Sequence, residues 1–242
     1  MNDKSYTYIP HRGRTIIIGD LHGCHDEFMR LLDAVSFADD DICILAGDFV
    51  NRGPDSASCA DFLRKTPNCY SVVGNHEKKL QLVINGDEKP AWSQEHTLSQ
   101  LDDRGRTLML ETIASLPAVI ETPLVTVTHA MLDPSRTTDM QDPVVTTAYG
   151  IDDYPDSLDD EGVPAWYRRW RERFGSKPVC MGHKVYKRVE LVAGSLYALD
   201  TGAVRGGQLT ALVLPERRIV QIQASADHHE ESYRTVIRQE RR

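Results

Sequence analysis

Three short boxes concentrate the residues that could do chemistry: Gly-Asp-Leu-His-Gly at 19–23, Gly-Asp-Phe-Val-Asn-Arg-Gly at 47–53 and Gly-Asn-His-Glu at 74–77. They supply Asp20, His22, Asp48, Asn51, Arg52, Asn75 and His76. One residue separates Asp20 from His22, so both can turn to the same side of an extended segment. The two oxygens of Asp48 could bridge two cations, and Asn75 offers a neutral carbonyl oxygen. Two later histidines have the same setting: His129 ends the apolar run 124–128, and His183 ends 179–182. Carboxylate, imidazole and amide together suit Mn, Fe, Zn or Ni better than Ca or an all-oxygen Mg site. Two such ions about 3.5–4 Å apart clamp a phosphate and acidify a shared water for in-line attack on phosphorus. The planar fork of Arg52 suits the non-bridging oxygens. His76, beside Asn75, is placed to protonate the leaving oxygen. Any one box alone could be an ordinary turn or cap; all three in order, each behind a β-branched apolar run, read as one site.

The positioning elements follow from those runs. Residues 15–19, 42–47 and 69–74 read as buried strands. Helical spacing follows each of them over 25–35, 54–65 and 76–84, the second with Pro54 at its start. The βαβαβα order implies parallel strands with helical crossovers, and ligands then gather outside the carboxyl ends of the strands. A helix over 101–116 and strands at 118–121 and 124–128 are expected next. Residues 132–162 carry nine acidic residues against Arg136 alone and show little periodicity, as expected of a hydrated loop or lid. A helix over 165–174 precedes short strands at 179–181, 189–192, 196–199, 209–214 and 219–222, expected as an antiparallel meander closing a second sheet. The tail from 225 is polar and reads as a terminal helix or a frayed end.

The chain has 242 residues and a net charge of −8, enough for one large domain and adverse to unspecific nucleic-acid binding. One domain over 1–242 is expected, with a core at about 15–223, an acidic insertion at 132–162 and a tail at 225–242. No apolar run spans a bilayer and the first ten residues lack a signal-peptide core, so membrane partners are not expected and the cytoplasm is the default location. Five cysteines at irregular spacing form no Cys-x-x-Cys pair, and Cys24 is expected to be core packing. His25, His96 and the pair His228-His229 read as surface residues.

At these boxes the chain resembles the calcineurin-like metallophosphoesterases, and more closely their phosphoprotein-phosphatase branch. The resemblance runs from residue 15 to about 214 and includes Thr128-His129-Ala130 and Gly182-His183. It implies an α/β fold of four layers, αββα, with two mixed β-sheets flanked by helices. It also implies that Asp20, His22 and Asp48 hold a first divalent metal, and that Asp48, Asn75, His129 and His183 hold a second, most simply Mn. Arg52 would bind phosphate and His76 would be the general acid. Arg168 is the candidate second phosphate-binding arginine, with Arg169 and Arg171 as alternatives. Residues 159–168 and 199–212 look like bacterial protein phosphatases and symmetrical dinucleoside-tetraphosphate hydrolases.

Two positions depart from the branch. Asn51 stands where protein phosphatases carry an Asp beside the general-acid histidine; it can orient the ring but brings no charge. Met131 stands where Gly is usual and is expected to crowd the cleft beside His129. The leading expectation is a Ser/Thr phosphoprotein phosphatase acting on a phosphorylated protein. The alternative is a hydrolase that splits bis(5'-nucleosyl) tetraphosphate symmetrically, a small phosphoanhydride substrate. RNA end-processing and a catalytically silent domain that binds phosphorylated partners rank lower.

Overall fold

The computed structural model of the chain describes residues 5–11, 13–150, 157–186 and 188–240. After β1 (Tyr6–Tyr8) the chain alternates β2 (Thr15–Ile18), α1 (His25–Ala34), β3 (Ile42–Leu45), α2 (Ser56–Lys65), β4 (Cys69–Ser71) and α3 (Asn75–Asn85). Helix α2 begins two residues later than its Pro suggested. The Asp55 carboxylate caps it by accepting from Ser58 N at 2.8 Å, and that cap fixes the start. Two helices follow, α4 (Trp92–Ser99) and α5 (Asp103–Ser115), then β5 (Val119–Glu121) and β6 (Thr126–Thr128). Helix α4 carries no sequence signal, because its few apolar residues lack a helical repeat.

The region 132–162, which reads as a hydrated loop or lid, carries regular structure among its described residues. It holds a 3-10 turn (Thr138–Met140) and the short helix α6 (Pro143–Thr147). The buried Gln141 amide ties the turn together: its oxygen accepts from Asp133 N at 2.7 Å and its nitrogen donates to the Asp133, Arg136 and Thr137 carbonyls. Residues 151–156 of the expected loop lie outside the described residues. Beyond them come α7 (Ala165–Phe174), β7 (Val179–Met181), β8 (Glu190–Val192), β9 (Leu196–Ala198) and β10 (Asp200–Thr201). A 3-10 turn (Ala203–Arg205) then leads to β11 (Gln208–Leu214), β12 (Arg218–Gln223) and α8 (His228–Glu240).

The strands form two mixed sheets. In one, β2, β3 and β4 are parallel, and β11 pairs antiparallel with β2, β10 and β12. The other runs β1-β5-β6-β7-β9-β8, parallel except at β5–β6 and β8–β9. The late strands therefore do not form a single meander. β7 and β9 are parallel neighbours in one sheet, and the chain crosses to the other between Ala198 and Asp200.

Strand alternation builds the layers. Ile17, with Ile44 and Val72, packs between the sheets against Ile120, Val127 and Tyr197. Ile16 and Ile18 point the other way and pack with Phe28, Leu31 and Leu63 of the helices. On the far side Val119, Val179 and Leu196 pack with Trp166, Tyr167 and Trp170 of α7. The result is the αββα arrangement. Met131 joins that last cluster, so its side chain is core and not an obstruction beside His129. Cys24 is fully buried, as core packing requires. No helix among the described residues is long and apolar enough to cross a membrane.

Candidate active site

The first two boxes sit in the loops that follow β2 and β3, the third caps and opens α3 after β4, and His129 and His183 follow β6 and β7. All five segments leave the carboxyl ends of parallel strands, so the twist of two sheets points them into one place. The approach is close. A Cβ on Gly74 would lie 2.1 Å from Asp48 Oδ1, and one on Gly182 would lie 2.0 Å from Asp20 Oδ1; only glycine leaves room for those carboxylates. The turns are strained as well. His22, Asp48, Asn51, Arg52 and His183 have φ of 47°, 50°, 69°, 70° and 69°. Left-handed conformations at non-glycine residues cluster where function over-determines the backbone.

Asp48 lies between two groups of donor atoms. Its Oδ2 is 3.8 Å from His22 Nε2, which is 3.9 Å from Asp20 Oδ2. Its Oδ1 is 3.6 Å from His129 Nε2. The Asn75 carbonyl oxygen lies 2.9 Å from His129 Nε2 and 3.1 Å from His183 Nδ1. Each side of Asp48 thus faces one of the two ligand sets inferred from the sequence. Potential ligand atoms of Asp20, Asp48 and His129, and separately of His22, Asp48 and His76, lie within 4.8 Å of one another.

The donor chemistry fits divalent metal ions. His22 Nδ1 is 3.0 Å from the Val50 carbonyl and His129 Nδ1 is 2.8 Å from the Ala46 carbonyl. Those bonds place the ring proton on Nδ1 and leave both Nε2 lone pairs facing the carboxylates. Burial, then Arg52, holds the His22 pKa well below its ordinary value. Burial lowers that of His129 to about 4. Both imidazoles are neutral, as ligands must be. Burial pushes Asp48 up to about 7, and burial with the charges of Asp200 and Asp48 raises Asp20. Buried acids that repel one another beside neutral imidazoles need a multivalent cation to ionise comfortably.

The remaining expected residues divide. Arg52 is at the site: its Nη1 donates to His22 Nε2 at 2.9 Å. The His76 ring meets that of His22 edge-on at 4.7 Å, and its backbone N–H, in the first turn of α3, donates to Asp48 Oδ1 at 2.9 Å. The Asn51 amide nitrogen lies 3.2 Å from the His76 carbonyl and 3.1 Å from His76 Nδ1. Thr97 on α4 donates to the Asn51 oxygen at 2.8 Å. Arg168 is elsewhere engaged. Its guanidinium reaches Asp159 at 2.7 Å and Glu161 at 2.6 Å and contacts no ligand residue. Two local carboxylates compete for a solvent-facing arginine on α7, and they hold it.

Sequence reasoning missed four contributors. Glu77, the last residue of the third box, is fully buried and accepts from the backbone N–H groups of Asp48, Val50 and Gly74. It ties the second box to the third. Asp200 follows β9 as His183 follows β7; burial raises its pKa, and its charge acts on Asp20 and Asp48. Its place at a strand end was a usable signal. Thr97 and Gln100 had none. Gln100 accepts from Ser56 N and donates to the Gly53 carbonyl, which braces the second box. Three histidines expected at the surface are partly buried. His96 is half-buried on α4 with Nε2 enclosed. His228 contacts buried Glu27, and His229 packs edge-on against Trp92 at 4.9 Å.

Comparison with known proteins agrees with this geometry. Residues 13–205 match the calcineurin-like phosphoesterase family. An asymmetrical bis(5'-nucleosyl)-tetraphosphatase of Geobacillus thermodenitrificans is 29% identical, covering 90% of this chain and 98% of that protein. A symmetrical bis(5'-nucleosyl)-tetraphosphatase of Nitrosospira multiformis is also 29% identical, covering 86% and 95%. A crystal structure provisionally described as a diadenosine tetraphosphatase superposes with a TM-score of 0.73 at 30% identity, covering 91% of this chain and 98% of that one. A Saccharomyces cerevisiae serine/threonine phosphatase structure shares the fold at 17% identity and a TM-score of 0.63. The chain belongs to the calcineurin-like phosphoesterase family and is a metallophosphoesterase, a hydrolase of phosphoester bonds.

Proposed function

We propose that the chain hydrolyses bis(5'-nucleosyl) tetraphosphates, the alternative from the sequence, in preference to phosphoproteins. The observation that carries this is the Asn51–His76 contact. The Asn51 nitrogen faces the His76 carbonyl, which fixes the amide with its N–H groups toward the histidine. The second N–H then points at His76 Nδ1, so Nδ1 accepts and the ring proton rides on Nε2. A carboxylate in that place would stabilise an imidazolium; an amide donor opposes one. Burial, then His22 and Arg52, also holds the His76 pKa well below its ordinary value.

A neutral His76 can hydrogen-bond to a leaving oxygen but is a poor source of a proton. A phosphate leaving group ionises near neutral pH and needs little protonation, whereas a serine alkoxide needs a full proton. The site therefore favours anhydrides. The relatives at 29% identity carry tetraphosphatase names; the yeast protein phosphatase, at 17%, speaks to the fold alone.

In this reading Asp20, His22 and Asp48 hold one divalent ion, and Asp48, Asn75, His129 and His183 hold the other, with Mn the first choice for assay. Bound there, the two ions would neutralise phosphate charge and acidify the attacking water. Arg52 binds the non-bridging oxygens, His76 donates through Nε2 to the leaving oxygen, and Asn51 and Thr97 hold that ring in place. Both sheets contribute to the site, which supports reading 1–242 as one domain. The test compares diadenosine tetraphosphate with a phosphoserine peptide in Mn²⁺, with product analysis. The dinucleotide should lead in kcat/KM by at least about tenfold, and the products show whether the chain is cut symmetrically. A phosphopeptide turned over as fast would overturn the proposal.

A further inference from the structure

A cationic and aromatic rim stands beside the metal-ligand pocket, built by segments that take no part in holding metal. The 3-10 turn Ala203–Arg205 begins three residues after Asp200 and carries the exposed Arg205. Arg205 Nη2 lies 3.3 Å from His229 Nε2, in the first turn of α8. The His229 ring packs edge-on against Trp92 at the start of α4, 4.9 Å between centroids, and Tyr233, one helical turn on, meets the same indole at 5.4 Å. Tyr233 is 41% exposed and Trp92 is partly buried. Arg52 and Arg205 are both close enough for their charges to act on His229, and His229 in turn acts on His22. Helix α4 links the rim to the pocket: it carries Trp92 at its start and Thr97, which donates to the Asn51 oxygen behind His76.

We propose that Arg205, His229, Trp92 and Tyr233 form a subsite for the nucleoside phosphate arm of the substrate that lies beyond the scissile phosphate. The assignment rests on the tetraphosphatase reading. In a chain of net charge −8, Arg52 acts on Asp20, Asp48 and Asp200, and Arg205 acts on Asp200, so two cations face the carboxylate cluster, an arrangement for drawing in and holding an extended polyanion. A guanidinium presents a fork that matches phosphate oxygens. The exposed Tyr233 ring, backed by the partly buried Trp92, suits a nucleobase at the end of such a track, because every base offers a π-face. The phosphates beyond the scissile one pass Arg52 and reach Arg205 and His229; the base then meets Trp92 and Tyr233. A small aryl phosphate uses Arg52 but is too short to reach Arg205, His229, Trp92 or Tyr233.

The rim could instead merely pack α8 onto α4, and the test separates the two. Steady-state kinetics with Mn²⁺ on diadenosine tetraphosphate and on p-nitrophenyl phosphate are compared for wild type, Arg205→Met, Tyr233→Ala and Tyr233→Phe. Adenosine diphosphate is titrated against tryptophan fluorescence in each. Arg205→Met and Tyr233→Ala should lose roughly tenfold more kcat/KM on the dinucleotide than on the aryl phosphate. They should weaken adenosine diphosphate by a similar factor, and Tyr233→Phe, which keeps the ring, should restore both. Parallel losses on the two substrates, or undiminished adenosine diphosphate binding, would overturn the subsite and leave the tetraphosphatase reading standing. A wild type that splits the aryl phosphate but not the dinucleotide would instead overturn that reading, and the adenosine diphosphate titration then decides the subsite alone.

Discussion

The floor of the site is made by four loops and the first turn of α3, each following a parallel strand within a few residues, whereas its rim joins residues 92, 205, 229 and 233 that no motif connects. The floor is buried: Asp20, His22, Asp48 and His129 are nearly or wholly shut from solvent, with backbone groups bonded to the side chains that face them. The rim is half-exposed and held by ring edges and one arginine–histidine contact. Metal ligands need fixed geometry and neutral imidazoles, which burial supplies. A surface that admits and releases a long substrate needs access, which burial would deny. Chemistry and specificity are thus assigned to regions with different packing, and substitutions in each should fail in different ways.

The largest effect should come from the floor. Asp48→Asn removes the oxygen charge that faces both ligand groups, and kcat on every substrate should fall roughly a thousandfold or more. The fold should survive. Burial pushes the Asp48 carboxyl up to about 7, so above that pH its charge destabilises the metal-free chain, and an amide relieves this. Calorimetry of the chelated proteins at pH 8 should show the variant melting no lower than wild type. A lower melt would mean that Asp48 stabilises the fold without metal, and the separation between floor chemistry and fold stability would be lost.

Much of the floor was legible in sequence for a physical reason. A strand end, a glycine that lets a carboxylate approach and a ligand beside it are consecutive in the chain, as in Gly74-Asn75 and Gly182-His183. Pattern and place therefore coincide. Asp200 was legible by the same rule but stood apart from the boxes. Arg168 shows the opposite case. An arginine near the right region says nothing about which carboxylates reach it first, and Asp159 and Glu161 do so here. Helix α4 left no mark because it is recognised by what it supports: Thr97 behind Asn51, Gln100 behind Gly53 and Trp92 under α8. The same holds for the split of the late strands between two sheets, since short apolar strands do not state their partners.

An intermediate effect should appear where floor and rim share α4. Asn51→Asp places a carboxylate against His76 Nδ1, which favours the imidazolium and raises the histidine pKa. Activity on an alkyl phosphate such as phosphoserine should rise about tenfold, within the range of general-acid catalysis, and anhydride hydrolysis should change little. Equal changes on both would show that His76 does not act on the leaving group. Thr97→Val leaves the Asn51 oxygen without its hydroxyl donor in a buried place. It should lower stability by about 1–3 kcal/mol and blunt the response to Asn51→Asp in the double variant, because the residue at 51 then loses its fixed orientation.

The smallest effect should come from the clasp that seats the rim. Glu27, on α1, is buried and accepts from Ser225 N at 2.9 Å and Ser225 Oγ at 2.8 Å, with His228 Nε2 at 3.1 Å. Burial alone would raise its pKa, but these bonds outweigh it and hold the carboxyl at about 2 against an ordinary 4.5. A group depressed in the folded state contributes stability that is full above the ordinary value and is lost as pH falls toward the folded one. Glu27→Gln should therefore lower stability by about 1.5–3 kcal/mol at pH 6, the worth of hydrogen bonds to a charged group. Measured on chelated protein, the gap between wild type and variant should narrow between pH 6 and pH 3.5. Because α8 carries His229 and Tyr233, the variant should also raise KM for the dinucleotide a few-fold while kcat holds, since the floor lies outside the clasp. A gap that stays constant with pH would show that the clasp works by packing and not by charge. A fall in kcat on the aryl phosphate would show that floor and rim are one mechanical unit.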